Sequence, residues 1–274
     1  MIGFGMTVLG SGSSGNASII HGPEGNILLD AGFSAKELER RMEDCGIEPD
    51  SVRALLLTHE HSDHTKGCRV FADRHGIDVY MTSPVCHAAE KGRFLPESYV
   101  LFSPGDSFDL CGVGIKSFTL PHDALDTVGF VFRCGAGKIG VATDLGHVNA
   151  LVREQLRGCT LIMLESNHDP EMLRNSPRTL SLKRRILSRH GHLCNEDACA
   201  ALEEMVTPET HEIILAHISS ECNDCGIVED LGSRTLAKLK REDILLKVAL
   251  QDSPLGTFHV DTDSSAPPEG FLFQ

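Results

Sequence analysis

A mixed α/β fold, with helices and strands interleaved and partly segregated (α+β), is predicted by three features of this 274-residue chain. Short apolar, β-branched runs alternate with amphipathic helical stretches. Polar residues recur where the buried strands finish, at Asp30, His59, Asp144, Glu165 and His217. No linker long enough to divide the chain interrupts residues 1–260, which are therefore expected to form one domain. Residues 261–274 are polar and Pro-rich, and a flexible tail is expected there.

Each element has a local reason. Residues 6–9 form a short strand that runs into Gly10-Ser11-Gly12-Ser13-Ser14-Gly15-Asn16, a loop no regular element could span. Residues 17–21 and 26–29 make a hairpin closed by Gly22-Pro23-Glu24-Gly25, leaving Asp30 at a strand end. Ser34 caps a helix that lasts to about Asp44, with Gly46 as its stop signal. The apolar run 54–57 is a buried strand leading straight into Thr58-His59, and Asp63 opens a helix ending near His75-Gly76. Strands follow at 78–81, 107–110, 114–118, 127–133 and 138–143, separated by Gly and Pro. Buried strands are expected at 161–164 and 212–215, and helices at 177–189, 195–205 and 228–240.

Composition narrows the functional classes. No apolar run approaches the roughly 20 residues of a membrane span, and Met1-Ile2-Gly3-Phe4 lacks a basic secretory n-region, so a cytoplasmic protein is expected. The 10 cysteines are scattered and are expected to be reduced thiols; Cys222-Asn223-Asp224-Cys225 is the only CxxC. A net charge of −14 opposes broad, non-specific polyanion binding. Six basic residues nevertheless lie between Met172 and Asn195 with no acidic one: Arg174, Arg178, Lys183, Arg184, Arg185 and Arg189. That run is either a solvated helix face or a local anion-binding patch.

The densest chemistry is His59-Glu60-His61-Ser62-Asp63-His64, directly after a hydrophobic strand. Residues two apart in extended chain point the same way, so His59 and His61 can face one cation. Asp63 and His64 sit at a helix start and can turn towards a second. This mixed nitrogen and oxygen set suits Zn²⁺ or Mn²⁺ better than Ca²⁺.

The run resembles the HxHxDH signature of the metallo-β-lactamase superfamily. Other motifs of that fold follow in order: Asp30 after a strand, His122 in Leu120-Pro121-His122-Asp123-Ala124, Asp144 in Ala142-Thr143-Asp144-Leu145-Gly146, and His217 in Leu215-Ala216-His217-Ile218-Ser219. The resemblance covers residues 6–255 and implies a four-layer αββα sandwich, two mixed β-sheets flanked by helices, with two divalent ions at one edge. It implies His59, His61 and His122 on the first ion, Asp63, His64 and His217 on the second, and Asp144 bridging them. Asp30 is implied as an anchor behind the ligands.

Within the superfamily, Ser11-Gly12-Ser13-Ser14-Gly15-Asn16, Glu165-Ser166-Asn167-His168-Asp169 and Gly191-His192-Leu193-Cys194-Asn195 resemble motifs of the YycJ/WalJ group of bacterial metal-dependent DNA exonucleases. The chain departs from that pattern at Cys194, where Ser is usual, and it lacks the β-CASP insertion of larger nucleases. The resemblance implies phosphodiester hydrolysis, with DNA favoured over RNA as substrate. Asp144 is expected to position the nucleophile, and His192, or else His168, to protonate the leaving oxygen. Ser11, Ser13, Ser14 and Asn16 are expected to cradle phosphate, although the glycines there equally suit a tight strand connection. Asn195, at a helix start, together with Arg178 and Arg185, is expected to contact substrate. A glyoxalase II-like thioester hydrolase and a non-catalytic nucleic-acid-binding subunit are the alternatives.

Overall fold

Fourteen strands and nine helices are found among the described residues, 3–262, of the computed structural model. The strands are β1 (Gly5–Gly10), β2 (Ala17–Gly22), β3 (Gly25–Leu29), β4 (Val52–Leu56), β5 (Asp78–Thr82), β6 (Tyr99–Phe102), β7 (Ser107–Leu110), β8 (Val113–Thr119), β9 (Val128–Cys134), β10 (Gly137–Ala142), β11 (Leu161–Glu165), β12 (Glu212–Ala216), β13 (Leu245–Val248) and β14 (Leu255–His259). The helices are α1 (Ala35–Asp44), α2 (Ser62–Thr65), α3 (Cys68–His75), α4 (Ser83–Gly92), α5 (Ala150–Leu156), α6 (Pro170–Asn175), α7 (Leu180–Ile186), α8 (Asn195–Met205) and α9 (Cys225–Leu239).

One sheet runs β14-β1-β2-β3-β4-β5-β6 and the other β13-β12-β11-β10-β9-β8-β7. Both are mixed: β3 to β6 pair in parallel in the first, and β10 to β13 in the second. Alternation along each strand divides its side chains between two cores. Ile27, Leu29 and Leu56 join Phe130, Ile139 and Ile214 between the sheets. Leu28 and Leu55 point outward to Leu38, Phe71 and Ala89 of α1, α3 and α4. Ile162, Ile213 and Leu215 meet Leu156, Leu202 and Leu236 of α5, α8 and α9. Helix, sheet, sheet and helix thus form the four expected layers.

Local chemistry explains where the sequence reading slipped. The expected helix from Asp63 to His75 is two, α2 and α3, broken at Gly67. A Cβ there would lie 2.2 Å from the Phe33 carbonyl oxygen, so the break fits a close backbone approach. The expected helix at 177–189 shrinks to α7, capped by Thr179, whose hydroxyl accepts from Leu182 N–H. The sequence reading missed α4, α5, α6, β6, β13 and β14. Pro84 and Pro170 occupy the first turns of α4 and α6, where a missing N–H costs nothing. Residues 263–274, most of the expected tail, lie outside the described residues. No described helix is long and apolar enough to cross a membrane.

Candidate metal centre

Both sheets deliver their chemistry from the C-terminal ends of parallel strands. Asp30 follows β3, Thr58 and His59 follow β4, Asp144 follows β10, Glu165 ends β11 and His217 follows β12. Asp30, Asp144 and His217 all take left-handed backbone conformations, with φ of 59°, 63° and 56°. For a side chain such as His217 this costs about 1–3 kcal/mol unless its surroundings impose it. They do: its N–H donates to Ser11 Oγ (2.9 Å), and its carbonyl accepts from Asn167 Nδ2 (2.8 Å).

Four imidazoles are each tied back by Nδ1, leaving Nε2 turned inward. His64 Nδ1 donates to Asp30 Oδ2 (2.8 Å), and Asp30 Oδ1 accepts from the Thr58 N–H (2.9 Å). His59 Nδ1 donates to Thr58 Oγ1 (3.0 Å), His122 Nδ1 to the Gly191 carbonyl (3.0 Å), and His217 Nδ1 to Glu165 Oε1 (2.8 Å). Such outer partners fix ring orientation and leave the other nitrogen free to bind a cation.

The inward atoms fit a metal. His59 Nε2, His122 Nε2, His217 Nε2 and Asp144 Oδ2 are buried without a hydrogen-bond partner among the described residues. Each such orphan costs about 1–3 kcal/mol, which a bound cation would remove. Candidate ligand atoms of His59, His61 and His122 lie within 4.8 Å of one another, as do those of Asp63, His64 and His217. Asp144 reaches both groups: its Oδ2 is 3.2 Å from His64 Nε2 and its Oδ1 is 3.9 Å from His122 Nε2. A further group brings Asp144 and His217 together with Glu165 and His192. There, Glu165 Oε1 accepts from Nδ1 of both His192 and His217, each at 2.8 Å, and Oε2 accepts from the Leu145 and Leu193 amides. With its oxygens so engaged, Glu165 is suited to holding the two histidines.

Charge follows this wiring. Burial alone would lower His217, but Asp144, Asp63 and Glu165 outweigh it and raise it to about 10. Burial likewise opposes protonation of His64, and Asp30 and Asp144 hold it well above the usual histidine range. Burial would raise Glu165, yet His192 and His217 bring it down to about 2. Cations placed among these groups would replace protons.

The centre opens into a cleft of about 200 Å³ whose lining includes His61, Asp63, Asp144, His192, Ser13 and Arg178. Leu182 and Arg185 of α7 form part of the same wall. Arg178 pairs with Glu221 (2.9 Å), and Arg185 with Asp123, the residue after His122.

The expected ligands His59, His61, Asp63, His64, His122, Asp144 and His217 therefore converge, with Asp30 behind them. Ser13, Arg178, Arg185 and His192 line the cleft, and Ser14 is exposed, its N–H donating to Gln251 Oε1 (2.8 Å). Four other expectations need correction. Ser11 is 1% exposed and donates to Asn16 Oδ1 while accepting from His217, so its hydroxyl is already spent. Asn16 is buried; its Nδ2 donates to the Gly12 carbonyl (3.0 Å) and lies 3.0 Å from His64 Nε2. Together these two residues join the ligand-bearing ends of the two sheets instead of cradling phosphate. Asn195 is buried in a network with Ser166 and Asn223. His168 is 1% exposed, burial pulls it down to about 4, and it does not line the cleft. Cys194 occupies the N-cap of α8 without a capping hydrogen bond from its side chain.

The sequence reading assigned no role to Glu165, Asn167 or Thr58. All three lie at or just beyond a strand end, and Glu165 and Asn167 also belong to the Glu165-Ser166-Asn167-His168-Asp169 run that carries the family resemblance. Gly191 was also passed over. A Cβ on it would lie 2.1 Å from the Ile186 carbonyl oxygen, and its own carbonyl orients His122.

Comparison with known proteins agrees with this geometry. A family described as "Beta-lactamase superfamily domain" matches residues 25–218. The chain is 37% identical over 224 residues to the exodeoxyribonuclease YycJ of Bacillus anthracis, covering 81% of this chain and 85% of that one. It is 33% identical over 239 residues to the exodeoxyribonuclease WalJ of Streptococcus pneumoniae serotype 2 (strain D39), covering 86% and 87% respectively. Among solved structures, the metallo-β-lactamase fold protein YhfI from Bacillus subtilis superposes with a TM-score of 0.70 at 13% identity, over 92% of this chain and 98% of that one. That last likeness is one of fold alone.

Proposed function

The chain belongs to the metallo-β-lactamase superfamily, in the group of the YycJ and WalJ exodeoxyribonucleases, and from that premise we propose that it hydrolyses phosphodiesters at the ends of DNA. The observation that carries this reading is the convergence of orphaned His59, His122, His217 and Asp144 atoms beside a cleft walled by Arg178 and Arg185. Two divalent ions, Zn²⁺ or Mn²⁺, are the proposed cofactors. His59, His61 and His122 would hold one, Asp63, His64 and His217 the other, and Asp144 both.

When bound, the ions supply Lewis acidity towards phosphoryl oxygens and lower the pKa of water. The remaining work falls to the chain. Arg178 and Arg185 draw a phosphate of the strand into the cleft, a local attraction within a chain of net charge −14. Asp144 orients the attacking water, whose departing proton passes through the open cleft to bulk solvent. As oxygen adds to phosphorus and the bond to the leaving sugar oxygen breaks, His192 Nε2 gives that oxygen its proton. Glu165 keeps the opposite face of the ring as an Nδ1–H donor and, against the opposing effect of burial, raises the His192 pKa so that the proton is available.

The test is release of nucleotides from end-labelled DNA by purified protein with Mn²⁺ or Zn²⁺, with RNA and S-lactoylglutathione as parallel substrates. Metal-dependent release from DNA that is lost in His61→Ala is expected. Equal cutting by that variant, or thiol release in place of nucleotides, would contradict the reading.

A further inference from the structure

Arg178 and Arg185, which line the cleft, are each held at one edge and open at another. Arg178 Nε donates to Glu221 Oε2 (2.9 Å). Arg185 donates from Nε to Asp123 Oδ2 and from Nη2 to Asp123 Oδ1, the second bond at 3.2 Å. No hydrogen bond among the described residues uses Nη1 or Nη2 of Arg178, or Nη1 of Arg185. A guanidinium carries its five N–H donors in a planar fork. With the Nε side engaged, the end formed by Nη1 and Nη2 can still take two oxygens of one phosphate.

The two carboxylates come from the two loops of the second sheet that carry His122 and His217. Asp123 follows His122, and its Oδ1 stands 3.6 Å from His122 Nε2. Its loop is fixed on both sides: Gly146 N–H donates to the Pro121 carbonyl and Leu125 N–H to Glu60 Oε1, each at 2.9 Å. Glu221 lies four residues beyond His217. There Ser219 N–H donates to the Asn167 carbonyl, and the Cys222 carbonyl accepts from Asp169 N–H, each at 2.9 Å. The arginines themselves stand on a lighter frame. Most of α7 is exposed, and Ile186, its one buried residue, packs in a small core with Leu173 and Cys222.

We infer that Asp123 and Glu221 are positioning residues that aim Arg185 and Arg178 at the phosphates of the substrate. The inference rests on the phosphodiesterase reading and adds how the cleft wall is kept in register with the metal centre. A long arginine side chain loses rotamer freedom when a ligand fixes it. Carboxylates that hold it beforehand remove that cost from binding. Ion pairs as exposed as these add little to folding stability, so their loss is read in substrate binding.

Two double-mutant cycles test this. Asp123→Asn, Arg185→Ala and their combination form one, and Glu221→Gln, Arg178→Ala and their combination the other. Metal content and thermal midpoint are measured first, and Asp123→Asn and Glu221→Gln are expected to match wild type in both. KM and kcat are measured on end-labelled DNA. Kd is measured by fluorescence anisotropy of a labelled oligodeoxynucleotide in the His61→Ala background. Asp123→Asn or Glu221→Gln alone is expected to raise KM and Kd about 10-fold, the loss of one well-aimed charge-assisted hydrogen bond, with kcat within about twofold of wild type. Where the partner arginine is already alanine, the same substitution should change neither constant, because the carboxylate has nothing left to aim.

Additive effects within each cycle would overturn the inference. So would a lower KM and Kd in the carboxylate variants, which would make Asp123 and Glu221 competitors of phosphate. Loss of metal from Asp123→Asn would make that residue a support of the ligands and overturn its aiming role. If wild type bound the oligonucleotide with coupling inside each pair yet released no nucleotides, the positioning would stand and the catalytic reading would fall.

Discussion

His192 and Glu165 make the sharpest claims at the scale of single residues. If His192 is the proton donor, its removal must hurt most where the leaving group is a poor one. His192→Ala is therefore expected to slow release of nucleotides by about 100- to 10,000-fold. Its effect on bis(p-nitrophenyl) phosphate should be small, because nitrophenolate leaves without a proton. A uniform loss on both substrates would make His192 a structural residue. Glu165 is fully buried and does not line the cleft, but it holds the expected ligand His217 and the proton donor His192 at 2.8 Å each. Glu165→Gln keeps its shape and removes its charge; metal affinity is expected to fall about 10- to 100-fold, measured by competition with a chromophoric chelator. At this scale the sequence was legible wherever residue type alone announces chemistry. His59, His61, Asp63 and His64 stood out by spacing and His122, Asp144 and His217 by resemblance to a family's motifs, whereas Ser11, Asn16 and Asn195 were misread because a polar residue in a glycine-rich loop or at a helix start serves the protein and a ligand equally well. Only burial separates the two, and a sequence does not carry it.

Strand ends are what the elements contribute. Asp30, Asp144 and His217 sit one or two residues past β3, β10 and β12, and their left-handed backbones turn the chain out of the sheet into the site. The buried strands were readable because both faces are apolar, as the division of Leu28 and Leu29 between two cores requires. Helices α4 and α6 were not readable, since a proline in a first turn looks like a breaker from sequence. Edge strands β6, β13 and β14 are short or half exposed and lack a clean alternation. The start of β12 carries a pH-dependent weakness. Burial pushes Glu212 up to about 7, and its Oε2 has no hydrogen-bond partner among the described residues. A carboxylic acid with a raised folded-state pKa favours the folded protein below its unfolded value, near 4.5, and loses that contribution as pH rises through about 7. Glu212→Gln should therefore stabilise the protein by about 1 kcal/mol at pH 8, discounted for partial exposure, and by almost nothing at pH 5. Urea denaturation at the two pH values checks it; equal shifts at both would refute the assignment.

For the molecule as a whole, the two sheets act as two jaws. One brings Asp30, His59, His61, Asp63 and His64, the other His122, Asp144 and His217. The polar chain from His217 N–H through Ser11 Oγ to Asn16, and on towards His64, ties them together. The site exists only when the jaws are packed, so cations that bind there should stabilise the whole fold by mass action, by about 2.7 kcal/mol at a hundredfold excess over Kd. Elemental analysis of metal-reconstituted protein tests this account most directly, comparing wild type with His122→Ala, His217→Ala and Asp144→Asn. The account predicts two ions in wild type, one in each histidine variant, and weakened retention of both in Asp144→Asn. Wild type holding fewer than two ions, or His217→Ala and His122→Ala each still holding two, would contradict it.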